Sequence, residues 1–162
     1  MRGFCLFVAG TLAGLAIHAA IAQTQNQGIV GINHVGINVP DVGEAVEYYT
    51  EVMGFPEAFR IVDEAGQLSL VYVQVSQNTF VELRPANAQR PAGITHFGLH
   101  VEDMDAVTAM LRARGANVGE IRVSGTGTMA ILSNITDPYG NRMELTELPP
   151  ESLHRQAMER WR

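Results

Sequence analysis

The chain has 162 residues and a formal net charge of −6, with 46% apolar and 17% charged residues. That length allows one domain, or two small modules sharing a core, and the composition is that of an ordinary globular protein. The acidic balance excludes the basic footprint that nucleic-acid binding requires.

Met1–Ala22 reads as a secretory signal. Arg2 gives a positive start, Gly3 to Ile17 is apolar apart from Thr11, and Ala20-Ile21-Ala22 is a small-x-small cleavage site followed by a polar run. Cleavage there removes Arg2 and no acid, taking the formal charge from −6 to −7. It also removes Cys5, so the mature chain has neither a disulfide nor a thiolate ligand. The expectation is an exported protein, periplasmic or secreted, with no stable membrane span once the signal is gone.

Gln23–Gly28 is polar. Ile29–Val39 alternates with period two, a strand that puts His34, Gly36 and Asn38 on one face. Pro40 ends it. Asp41 then caps a helix with Glu44 three residues on, and Val42, Ala45, Val46, Tyr49, Val52 and Met53 recur at three- and four-residue steps until Gly54. Phe55–Asp63, Leu68–Val75 and Thr79–Arg84 read as strands, the last with Phe80, Glu82 and Arg84 on one face. Residues 29–85 thus form a βαβββ module. Residues 86–93 are a linker of turn residues without periodicity.

The order then repeats over residues 94–148. Ile94–Val101 is a strand, and Asp103 caps a helix using Met104, Val107, Met110 and Leu111, stopped by Gly115. Ala116–Val123 and Gly127–Asn134 read as strands. Asp137-Pro138-Tyr139-Gly140 has the residues of a type I turn, and Asn141–Glu147 is the last strand. The tail, residues 149–162, holds a short helical piece ending in Trp161 with no legible role.

The two modules are copies. Shifting Ile32–Asp41 by 62 positions places His34 on His96, Gly36 on Gly98, Val39 on Val101 and Asp41 on Asp103. The same shift places Glu82 on Glu144 and Leu83 on Leu145. Each module opens with a strand carrying His and closes with a strand carrying Glu. In a curved sheet those strands are neighbours, so the duplication predicts one N₂O₂ set from His34, Glu82, His96 and Glu144 around a divalent cation. Imidazole plus carboxylate suits Zn, Ni, Co, Fe or Mn. Strand parity adds Asn38 and His100 on the His strands, and Arg84 and Arg142 on the Glu strands, as candidates for substrate binding. His100 lies roughly 13 Å along the strand from His96, at the rim. Met53, Met104, Met110, Met129 and Met143 read as core filler.

The motifs resemble those of the vicinal oxygen chelate superfamily, the glyoxalase I/bleomycin-resistance/extradiol-dioxygenase group. They are His34-Val35-Gly36-Ile37-Asn38-Val39, Tyr48–Phe55, Phe80-Val81-Glu82-Leu83, His96–Val101 and Asp137–Leu145. The resemblance implies an α+β fold in which two βαβββ modules form a cupped eight-stranded sheet around one divalent metal, within one chain or across a homodimer. It carries the family's ligands onto His34, Glu82, His96 and Glu144. That set is similar to the one in glyoxalase I and implies a lyase or isomerase acting, through an enediolate, on a small substrate with vicinal oxygens. Glu144 or Glu82 would move the α-proton. Extradiol dioxygenases in the group use two His and one Glu, here His34, His96 and Glu144. Methylmalonyl-CoA epimerases usually carry Gln where Glu82 stands, and antibiotic-binding members generally lack the ligands. An extradiol-type dioxygenase and a non-catalytic small-ligand-binding protein are therefore the alternatives.

Overall fold

The computed structural model describes residues 27–162; the expected signal, Met1–Ala22, lies outside the described residues. The strands are β1 (Ile29–Val39), β2 (Glu57–Val62), β3 (Leu68–Ser76), β4 (Thr79–Pro85), β5 (Gly93–Val101), β6 (Arg122–Val123), β7 (Ile131–Thr136) and β8 (Arg142–Glu147). The helices are α1 (Val42–Glu47), α2 (Met104–Ala113) and α3 (Leu153–Arg160). One mixed sheet runs in the order β2-β3-β4-β1-β5-β8-β7-β6. In each module the first strand runs parallel to the last, β1 with β4 and β5 with β8, and the two modules join through the antiparallel β1–β5 pair. The two βαβββ modules and their shared eight-stranded cup are as the resemblance implied.

The helix caps follow the sequence. Asp41 and Asp103 sit in extended backbone, and each carboxylate accepts the amide three residues on, at 3.0 Å from Glu44 and 2.9 Å from Ala106. α1 passes into a π-helical turn at Tyr48–Val52. There the Thr50 hydroxyl bonds back to the Val46 carbonyl at 2.9 Å and competes with the helix's own ladder. Both helices cover the outer face. Val42, Val71 and Leu83 form the core under α1, and Val101, Met104, Val107 and Leu145 the core under α2.

Two expected strands are shorter than their apolar patterns suggested. Of Ala116–Val123 only Arg122–Val123 pairs continuously, beyond a single bridge from Val118 to Ile135. The Gly119 carbonyl is taken by Ser133 Oγ and by Arg112 from α2, which pulls the segment off a regular ladder. Of Gly127–Asn134 the strand begins only at Ile131, because Gly127 (φ 84°) and Met129 (φ 59°) are left-handed. The connection Ser124–Ala130 is a loop instead, closed by Ser124 N–H donating to the Ala130 carbonyl at 2.8 Å.

The tail is a structural part of the cup. Ser152 Oγ accepts the Arg155 amide at 3.2 Å and starts α3, and Leu153 N–H reaches the Thr128 carbonyl at 3.0 Å. Its buried stripe, His154, Ala157 and Met158, is spaced i, i+3, i+4. Ala157 and Met158 join Leu70, Tyr72, Phe80, Ala130 and Leu148 in a core on the inner face of the sheet. Among the described residues, no helix is long and apolar enough to cross a membrane.

Candidate metal centre

The sheet register assembles the site from the duplication. His34 lies opposite Gly98, which in turn lies opposite Glu144; His96 lies opposite Gly36, which lies opposite Glu82. Each imidazole is therefore laid over the other module's glycine. A Cβ on Gly36 would overlap the His96 ring, and one on Gly98 would overlap the His34 ring. These glycines are required by close approach.

All four expected ligands are buried, with His34 1%, Glu82 4%, His96 7% and Glu144 7% exposed. The two Nε2 atoms are 3.0 Å apart, and Glu82 Oε2 is 3.4 Å from each. Glu144 Oε2 is 3.9 Å from His96 Nε2, and His34, His96 and Glu144 offer ligand atoms all within 4.8 Å of one another. The other ring nitrogens fix the tautomers. Asn33 Nδ2 donates to the Asn78 carbonyl, so its Oδ1 faces His34 Nδ1 at 3.0 Å and takes the proton there. Thr95 Oγ1 donates to the Gly36 carbonyl at 3.1 Å and accepts from His96 Nδ1 at 2.8 Å. Both imidazoles thus carry a proton on Nδ1 and turn Nε2 inward. Two imidazole nitrogens and two carboxylates thus converge on one point, a donor set that suits a divalent cation.

The charges around the site are graded. Burial lowers the His34 pKa to about 4, so the ring is neutral and ready to ligate at neutral pH. Burial alone would raise the Glu82 pKa. Its contacts with His96, His34 and the Arg84 guanidinium outweigh it and hold the carboxyl at about 2. Glu144 goes the other way, raised by burial and by the Glu82 charge. Glu82 is anchored by the Tyr72 hydroxyl, which donates to Oε2 at 3.0 Å, and by Arg84 Nε at 3.1 Å from Oε1. Arg142 Nη2 holds Glu144 Oε1 at 3.3 Å, with Arg122 at 4.0 Å.

The cluster opens into a cavity of about 130 Å³. Arg84 and Arg142 line it, and so do Arg122, the loop residues Ser124–Thr126, and Thr128, Thr146 and His154. Asn38 shares the face of His34 as expected, but its carboxamide donates to the Pro91 carbonyl at 3.1 Å and fastens the linker. His100 does not line the cavity; it is 9% exposed and packed within the protein rather than standing at a rim. Sequence reasoning missed Tyr72, Arg122 and His154. His154 had a signal, since it breaks an otherwise apolar i, i+3, i+4 stripe; Tyr72 and Arg122 had none.

Comparison with known proteins gives a consistent family. The model of the Glyoxalase/Bleomycin resistance protein/Dioxygenase superfamily matches residues 31–145. The 2-epi-5-epi-valiolone epimerase of an Actinomyces species is 28% identical over 159 residues, covering 82% of this chain and 87% of that protein. The YaeR protein of Escherichia coli K12 is 27% identical over 127 residues, covering 74% of this chain and 98% of that protein. Among solved structures, methylmalonyl-CoA epimerase from Mycobacterium tuberculosis superposes with a TM-score of 0.64 at 22% identity, covering 77% of this chain and 92% of that one. A second methylmalonyl-CoA epimerase gives 0.60 at 28% identity, with 75% and 97% covered.

Proposed function

We propose that this chain, which belongs to the glyoxalase/bleomycin resistance protein/dioxygenase superfamily, is a divalent-metal-dependent isomerase that moves a proton on the carbon beside a carbonyl, an epimerase-type relative of glyoxalase I. The observation that carries this reading is the convergence of His34, Glu82, His96 and Glu144, with both Nε2 atoms turned inward at 3.0 Å and Glu82 Oε2 3.4 Å from each. A bound divalent cation supplies Lewis acidity to the carbonyl and hydroxyl oxygens of such a substrate.

The chain's own residues supply the proton chemistry. Glu82 and Glu144 come from opposite modules, and their environments push their affinities for a proton apart. Glu144, raised, is suited to take the proton from carbon, and Glu82 is held ionised by Tyr72 and Arg84. Inverting a stereocentre calls for proton removal on one face and return on the other, and two carboxylates from opposite modules suit that task. The epimerase names of the relatives support the same class of step. The ring-cleaving alternative fits less well, because Glu82 occupies a position that oxygen and a catechol would both need.

The test is solvent deuterium incorporation, read by NMR, with the protein loaded in turn with Zn, Ni, Co, Mn and Fe. The panel is hydroxyketones, cyclitol ketones, methylmalonyl-CoA and methylglyoxal–thiol adducts. Exchange at the carbon beside the carbonyl should require metal and fall by roughly a hundredfold or more in Glu144→Gln. Protein that binds none of these metals, or exchange that survives chelation, overturns the reading.

A further inference from the structure

We propose that His154 and Thr146 form a neutral hydrogen-bonding subsite at the floor of the cup, for a hydroxyl that the substrate carries beyond the oxygens meeting the His/Glu cluster. The inference rests on the metal-site reading above and adds the substrate class: a small carbonyl compound bearing a further uncharged hydroxyl.

The two side chains share one anomaly. His154 is 2% exposed, and neither ring nitrogen has a hydrogen-bond partner among the described residues. Thr146 is fully buried, and its Oγ1 is likewise without a partner there. Both line the same cavity as His34 and Glu82. An unpartnered buried polar atom costs more than the apolar group that would replace it. His154 is also the one polar member of the inward stripe of α3, beside Ala157 and Met158. Packing alone does not ask for an imidazole at that place. Tyr72 lies edge-on to the ring at 4.5 Å and Phe59 at 4.9 Å between centroids, a pocket that a phenylalanine would fill as well.

The location suits substrate. The His154 ring is centred 6.4 Å from the His34 ring, a gap that a short carbon substituent spans. The cationic residues Arg84, Arg122 and Arg142 sit nearer solvent, with side chains 30%, 45% and 40% exposed. Their guanidinium groups are taken up by Glu82 and Glu144. Its aromatic walls keep the imidazole neutral, with one donor and one acceptor nitrogen. A hydroxyl accepts from the ring N–H or donates to the bare nitrogen and leaves its other function for Thr146 Oγ1, whereas a carboxylate or phosphate oxygen can only accept.

The test uses the full chain loaded with Ni(II), titrated calorimetrically with butanohydroxamate and with β-hydroxypropanohydroxamate. These chelators are nearly isosteric and differ by a terminal methyl against a hydroxyl. Wild-type protein should prefer the hydroxylated probe by roughly tenfold. His154→Phe should lose that preference while keeping its affinity for butanohydroxamate, and His154→Gln, which retains a donor and an acceptor, should keep most of it. The melting temperature of His154→Phe should match or exceed that of wild type. An equal preference in His154→Phe, a wild-type preference for the alkyl probe, or a drop in melting temperature beyond about 5 °C overturns the subsite alone. Failure to take up Ni(II), or failure of both probes to bind, removes the metal-site reading and the subsite together.

Discussion

At the scale of single residues, the site depends on the absence of side chains as much as on their presence. Gly36 and Gly98 have no left-handed backbone requirement; what they supply is the space that each His ring occupies over the neighbouring strand. Gly98→Ala should therefore displace His34 and weaken metal binding by at least about tenfold, with Gly36→Ala doing the same through His96. Gly31→Ala is the control, since a Cβ there meets nothing within 4 Å. Isothermal titration with Zn(II) reads the difference. Proton binding follows from burial in the same way. In the metal-free protein His34 and His154 are held near 4 and 3, below their ordinary 6.5, so between those values the unfolded chain binds more protons than the folded one. Stability should be fully present above about pH 6.5 and fall as the pH drops toward 3, each group adding a slope of at most about 1.4 kcal/mol per pH unit. Urea melts of chelator-treated protein from pH 7 to pH 4 check this, and His154→Phe should show the shallower acid limb.

At the scale of elements, α3 and the loop Ser124–Ala130 hold each other at the cavity. Thr128 contributes a carbonyl to the first turn of the helix, and Ser152 caps it. Because Ser152 is fully buried, its hydroxyl cannot be replaced by water. Ser152→Ala should cost about 1 kcal/mol of stability, measurable in a denaturant titration with an unchanged slope. The loop itself exists because Gly127 and Met129 turn left-handed where the alternating apolar pattern promised a strand. The late start of β7 lengthens the connection, and Ser124–Thr126 within it line the cavity.

At the scale of the whole molecule, a cation held by these donors would join the modules. His34 and Glu82 come from the first and His96 and Glu144 from the second, so cation binding ties together halves that otherwise meet through β1 and β5. A ligand that binds only the folded state at one hundred times its dissociation constant stabilises by about 2.7 kcal/mol. Addition of a bound divalent metal should thus raise the melting temperature by roughly 10 °C, chelation should reverse it, and His96→Ala should abolish the shift. Differential scanning calorimetry reads all three.

The sequence by itself determined the duplication, and with it the strand and helix order, the two capping aspartates and the four residues that converge. A repeat preserves register, and register decides which side chains share a face. The same logic places Asn38 on the face of His34 but not its hydrogen bond, because only the path of the linker brings the Pro91 carbonyl within its reach. Only the tertiary structure decided how the cup is floored. A helical tail of eight residues, Leu153–Arg160, has no partner legible in one dimension. What makes His154 consequential is long-range packing against Tyr72 and Phe59, contacts that no local pattern of period two or 3.6 encodes.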